Sequence, residues 1–180
     1  MRSLCVAAVA LLLAACAAPP RFSLPVQGAE FEIAGRIAVR YRDDAGSGNI
    51  AWRHGTQFDE MLLTTPFGQG IARIARAGAE ITLTTQDGRE FRAADAESLT
   101  EQVLGFRVPL VGLADWVRGR AASKPAPEPA LERRDAAGRL DELEQSGWKI
   151  RYLEYADARP SRLTLNYPGL ELRLAISEWK

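Results

Sequence analysis

Glu30-Phe31-Glu32-Ile33-Ala34-Gly35-Arg36-Ile37-Ala38-Val39-Arg40-Tyr41 decides the fold class. Phe31, Ile33, Ile37, Val39 and Tyr41 fall on one parity, and Glu32, Arg36 and Arg40 on the other. Successive side chains of a strand point to opposite faces, so this period of two predicts a strand of about eleven residues with one face buried and one wet. The same pattern continues outward from it. Arg42 to Gly48 reads as a turn cluster, Asn49 to His54 as a second strand and Gln57 to Thr65 as a third. Pro66-Phe67-Gly68-Gln69-Gly70 interrupts, and strands follow at Ile71 to Arg76, Ala79 to Thr85 and Arg89 to Ala94. Gly78 and Asp87-Gly88 supply the turns between them, the latter a strong hairpin signal.

The period then lengthens. Asp95 suits an N-cap, Leu99 and Val103 lie one turn apart, and Gly105 suits a left-handed stop. Pro109 opens a second helix whose apolar face is Leu110, Leu113, Trp116 and Val117, ended by Gly119. Three prolines between Pro125 and Pro129 exclude a central strand or a helix interior, so Ala121 to Ala130 is expected to be an extended or mobile loop. Strands return at Leu131 to Asp135, Arg139 to Gln145, Trp148 to Tyr155, Ser161 to Tyr167 and Leu170 to Trp179. Hairpins in this number favour a curled antiparallel sheet or barrel, with the two helices placed to cover one mouth.

Composition narrows function. Of 180 residues 47% are apolar, enough for a core in a single domain. Basic and acidic residues number 23 each, which argues against a nucleic-acid partner. There is one histidine, His54, and there are two cysteines, so a zinc site is not expected and neither is a resident cofactor. No nucleophile elbow, phosphate loop or His-Glu-x-x-His motif occurs. The carboxylate pairs Asp43-Asp44 and Asp59-Glu60 read as solvated turn and strand faces, and adjacent strand residues cannot share one site. The expectation is a protein that binds rather than catalyses.

The N-terminus carries Arg2 and an apolar run from Leu4 to Ala15, the length of a signal segment and too short to span a bilayer. It ends in Leu13-Ala14-Ala15-Cys16, which resembles the lipobox of bacterial lipoproteins. That resemblance implies removal of residues 1–15, a diacylglycerol on the sulfur of Cys16 and an acyl group such as palmitate on its new amino group. Two or more chains anchor firmly where one binds marginally, at about 0.8 kcal/mol per buried CH₂. Cys5 leaves with the signal segment, so no internal disulfide is expected. Ala17 stands where enterobacterial lipoproteins retained in the inner membrane carry Asp, which points to the outer membrane. Residues 16–29 would form the lipid-anchored tether and 30–180 a single domain.

Further motifs follow in order. They are Phe31-x-x-x-Gly35-Arg36-Ile37-Ala38-Val39, Gly48-x-x-x-Trp52, Pro66-Phe67-Gly68 and Leu104-Gly105-x-x-x-Pro109. Leu113-x-x-Trp116-Val117-x-Gly119, Gln145-x-Gly147-Trp148-x-x-x-Tyr152 and Trp179 complete them. With the lipobox, this set resembles the LolB family of outer-membrane lipoprotein receptors over nearly the whole mature chain. The resemblance implies an incomplete antiparallel β-barrel of about eleven strands with a helical lid. It implies a monomer on the periplasmic face of the outer membrane, with a hydrophobic cavity that takes the acyl chains of lipoproteins from a LolA-like carrier in the Lol pathway. Without a nucleotide site, each transfer must run downhill, from cavity to cavity to bilayer.

Pro66-Phe67-Gly68 is a tight turn with a large apolar tip. The resemblance implies that Phe67 probes the membrane during delivery; the other reading is that it folds back over the barrel mouth. Ile37, Trp52, Leu62, Leu83, Trp116 and Trp148 are candidates to line the cavity, or to fill it as core. Two other functions fit the alternation: an integral outer-membrane barrel, and an anchored structural or pilot lipoprotein that binds a protein by strand addition.

Overall fold

The computed structural model describes residues 28–123 and 130–180. The signal segment, Cys16, the tether up to residue 27 and residues 124–129 of the Pro-rich loop lie outside the described residues.

The elements run β1 (Ala29–Tyr41), β2 (Asp44–Gly55), β3 (Phe58–Thr64), β4 (Gly70–Ala77), β5 (Glu80–Thr85) and β6 (Glu90–Ala93). Two helices follow, α1 (Ala96–Leu104) and α2 (Leu110–Trp116). The chain then continues as β7 (Leu131–Arg134), β8 (Leu140–Gln145), β9 (Trp148–Ala156), β10 (Arg159–Tyr167) and β11 (Leu170–Trp179). The eleven strands make one antiparallel sheet in the order β6-β5-β4-β3-β2-β1-β11-β10-β9-β8-β7. Two meanders are joined where β1 pairs with β11, and β6 and β7 remain as unjoined edges. This is the expected incomplete barrel.

The second strand begins at Asp44, not Asn49. Arg42 adopts φ 55°, which lets a two-residue turn bring Tyr41 opposite Asp44. Ala45, Gly46 and Ser47 then pair with Arg40, Val39 and Ala38. Small residues that look like turn formers are here the thin end of a long hairpin. The Asp87-Gly88 hairpin forms as expected, with Gly88 at φ 79° in a three-residue turn closed by Thr85 and Arg89.

Register places one row of apolar side chains across the first meander. Ile33 lies opposite Trp52, Trp52 opposite Met61, Met61 opposite Ile74 and Ile74 opposite Leu83. Across the second, Val39, Leu172, Leu165, Ile150 and Leu143 are successive partners. Both rows belong to one core cluster together with Leu99, Leu110 and Trp116 of the helical region, so the sheet curls round the helices. The opposite face carries exposed Arg36, Arg40 and Arg173. Apolar-in and polar-out is the reverse of an integral barrel, whose closed sheet turns its apolar band to lipid. Among the described residues no helix is long and apolar enough to cross a membrane.

The first helix ends as its sequence dictates, whereas α2 stops at Trp116, short of the expected Gly119, and a turn carries Val117 on to Gly119 at φ 75°. The Asp95 carboxylate accepts from the Ser98 amide at 2.7 Å, and Gly105, at φ 82°, closes α1 by donating to the Glu101 carbonyl. Thr100 Oγ1 accepts from the Val108 amide at 2.9 Å and so fixes the interhelical turn to α1.

Candidate functional site

The lid is fastened to the sheet by side chains of the second meander. Trp116, 1% exposed, donates its indole N–H to Oε1 of Gln145 at 2.9 Å. The same oxygen accepts from the Ala122 amide at 2.8 Å, and the Gln145 amide nitrogen donates to the Ala122 carbonyl at 3.0 Å. Tyr152 donates its hydroxyl to the Trp116 carbonyl at 2.8 Å. Burial pushes the Tyr152 phenol well above its ordinary range, so it stays a donor. Trp148 packs against Trp116 with ring centroids 5.8 Å apart, and Tyr167 continues the aromatic run. A cleft of about 140 Å³ remains between this part of the lid and the β8–β9 turn. Pockets for drug-sized ligands are larger, about 300–1,000 Å³, so this cleft is too small to hold one.

At the other end of the core a charged cluster lies beneath the lid. Asp59 is buried and accepts from Trp52 Nε1 at 2.9 Å, from His54 Nδ1 at 2.6 Å and from Arg76 Nε at 2.6 Å. Phe31 stacks on His54 at 5.0 Å, and Arg118, at the end of the lid, lies over Phe31 and bonds Glu30 at 2.7 Å. Its neighbour Glu60 is fully buried on the opposite face, bonded by Arg73 at 2.7 Å. The expectation that Asp59 and Glu60 are solvated is therefore wrong. Arginines from β4 cover both, and a buried carboxylate is tolerable only with such partners. The expectation that the two cannot share a site holds. Among the described residues no buried side-chain polar atom lacks a partner.

The β3–β4 turn is a three-residue hairpin. Gly68, at φ 86°, donates to the Thr65 carbonyl at 2.9 Å, and Thr65 donates to the Gln69 carbonyl at 2.8 Å. Proline presets the first corner, glycine supplies the left-handed one, and the residue between them must point outward. Phe67 is 95% exposed, so it does not fold back over the mouth in this conformation.

The six cavity candidates separate. Trp52, Leu83, Trp116 and Trp148 are buried in the common core, and Ile37 packs half-buried against it. Leu62 is not among them. Trp52 pairs with Met61, which turns Leu62 to the other face beside Ala51. Gln145 and Tyr152 stood in the sequence only as motif positions and Asp59 only as half of a carboxylate pair, without the bonding roles that the structure gives them. The available signal is a polar residue at inward parity: Leu143-x-Gln145, Trp52-x-His54 and Asp59-x-Met61. Such residues are almost always hydrogen-bonded when buried.

The family described as "Outer membrane lipoprotein LolB" matches residues 29–179. The chain belongs to the LolB family. The chain is 39% identical over 189 residues to the outer-membrane lipoprotein LolB of Thiobacillus denitrificans, covering 100% of this chain and 98% of that protein. It is 38% identical over 179 residues to the LolB of an Azoarcus species, covering 94% and 90%. Among solved structures, a LolA superfamily protein from Nitrosomonas europaea superposes with a TM-score of 0.53 at 14% identity, covering 89% of this chain and 87% of that one. That likeness shows a shared fold between a LolB chain and the LolA superfamily.

Proposed function

We propose that this LolB-family chain is a lipid-anchored, non-catalytic receptor at the outer membrane. It takes lipoproteins from a LolA-like carrier by accepting their acyl chains under the helical lid, and inserts them into the bilayer. The observation that carries the reading is an unclosed sheet whose apolar inner face is covered by only two short helices. Trp52, Leu83, Trp116 and Trp148, with Ile37 at the margin, become cavity lining when the lid lifts. An acyl chain replaces the contacts that the helices give up, so the exchange proceeds in a permanently apolar setting. Cys16 holds the receptor at the destination, where tethering raises its effective concentration.

Delivery is assigned to Phe67. A fully exposed Phe contributes nothing to folding, while partition from water into an apolar phase is worth up to about 1.5–3 kcal/mol. Phe67→Glu is expected to leave the fold and uptake from the carrier intact and to abolish release into liposomes, read by flotation of the cargo; Phe67→Leu is expected to deliver normally. Normal delivery by the Glu variant overturns the membrane role. Loss of uptake instead makes Phe67 part of the mouth. The pilot-lipoprotein reading is disfavoured by the two free edges, because Glu132, Arg133 and Arg134 lie along β7 and Glu90 and Arg92 along β6. Charges on an edge strand oppose pairing with a further strand.

A further inference from the structure

On the outer face of the sheet, opposite the core, Arg36 of β1 stands between Asn49 of β2 and Ala175 of β11. Ala175 pairs in turn with Arg162 of β10, and Arg173 of β11 pairs with Ala38. These three arginines edge one groove of about 300 Å³, whose walls include Ala38, Ser47 and Pro66. A second groove, of about 380 Å³ and lined by Ala34, Ala51, Leu62 and Gly68, begins on the other side of Arg36. The two grooves are thus flanked by Pro66 and Gly68, the residues on either side of Phe67. Arg173 is paired with Glu171 at 2.8 Å and Arg162 with Glu154 at 2.6 Å, all four side chains being solvent-accessible. Among the described residues Arg36 has no ion-pair partner.

We propose that this arginine groove binds the phosphate of an anionic phospholipid headgroup and so seats the protein on the membrane when Phe67 enters it. The inference rests on the membrane role of Phe67 and adds to it a ligand class and a second contact. Charge complementarity carries it. The chain as a whole has no net charge, so three guanidinium groups around one groove beside the exposed Phe form a local feature. Guanidinium groups bond phosphate oxygens in a planar, forked geometry. The exposed pairs to Glu171 and Glu154 are weak and give way to a phosphate. Ala34 and Ala51, half-buried in the wall of the second groove, supply apolar surface for the glycerol end of the lipid.

The test uses the full lipidated chain reconstituted in vesicles of phosphatidylcholine, or of four parts phosphatidylcholine to one part phosphatidylglycerol. The rate at which an acylated protein passes from its carrier into each is measured. Delivery is expected to be about tenfold faster into the anionic vesicles at low salt, given the attraction of each near-surface arginine to an anionic leaflet, and the advantage is expected to shrink as salt rises. Arg36→Gln with Arg162→Gln and Arg173→Gln is expected to erase the advantage while leaving the phosphatidylcholine rate unchanged; the three Lys replacements are expected to keep most of it. Should the triple Gln variant misfold, Arg36→Gln alone is expected to remove part of the advantage. Equal wild-type rates into both vesicles overturn the headgroup site, and so does a triple Gln variant that keeps the advantage. Loss of uptake from the carrier also overturns it and makes the groove a carrier contact. No delivery by the wild type into either vesicle overturns the receptor reading itself.

Discussion

Trp116 and Gln145 are joined by an indole-to-amide hydrogen bond of 2.9 Å that spans 29 positions of sequence. It is the bond that fixes the lid to the turn between β8 and β9. Gln145 serves Trp116 and Ala122 through one oxygen, so its loss orphans two buried donors at once.

Gln145→Leu is therefore expected to lower stability by about 2–6 kcal/mol, from about 1–3 kcal/mol for each of the two donors left unsatisfied. Urea denaturation followed by circular dichroism measures it. A loss below half a kilocalorie would mean that the lid does not depend on this bond.

Asp59→Asn removes the charge that holds His54 and Arg76. A buried cation stripped of its partner typically costs about 3–5 kcal/mol. The same denaturation experiment is expected to show a loss of that order, while Asp87→Asn, which breaks the solvent-screened pair Arg89–Asp87, leaves the curve close to that of wild type.

Gly35 sits at the irregularity between Ala34 and Gly35 where β1 shifts against β11. A Cβ there would lie 2.1 Å from the Ala175 carbonyl oxygen. Gly35→Ala is expected to destabilise by about 1–3 kcal/mol or more through overpacking against backbone, read as a fall in melting temperature. A melting temperature equal to wild type would show that the bulge relaxes freely.

Glu30 links the first strand to Arg118, and its hydrogen bond from Arg118 holds its carboxyl below the usual 4.5. A depressed carboxylate stabilises the fold above its unfolded pKa, and that contribution disappears as pH falls through its folded value. Wild type is thus expected to exceed Glu30→Gln in stability modestly at neutral pH, with the two curves converging as pH falls below 4.5 and through the lowered pKa of the folded carboxyl. Curves that stay parallel would show that the Arg118 pair contributes nothing.

Most turns and caps were legible in the sequence because their chemistry is local, although the Arg42 to Gly48 cluster turns only at Arg42 and Asp43. Asp95, Gly105, Gly68 and Gly88 each act within a few positions of themselves. The strand count leans on the family resemblance as well as on the alternation. What stayed hidden depends on register. Met61, Leu62 and Leu63 are all apolar, so parity alone does not say which of them faces the core; pairing of Trp52 with Met61 decides it. Asp59 and Glu60 look like solvent residues until Arg76 and Arg73, 17 and 13 positions away, are laid beside them. The tryptophans show their size but not their occupancy, because a residue that packs against a helix and one that lines a cavity obey the same alternation.

The seam between β6 and β7 sets the mechanics of the molecule. In a closed barrel, a larger circumference means breaking interstrand hydrogen bonds somewhere on the ring. Here the two free edges are linked only through the stretch that contains α1 and α2, so the sheet widens without the loss of a single rung. Among the described residues, resistance to widening then lies chiefly in the bonds from Gln145 and Tyr152 to Trp116 and Ala122 and in the apolar contacts of Leu99 and Leu110. The girth of the molecule is thereby adjustable at the scale of a few hydrogen bonds, while its backbone ladder keeps the register that holds each lining residue in place.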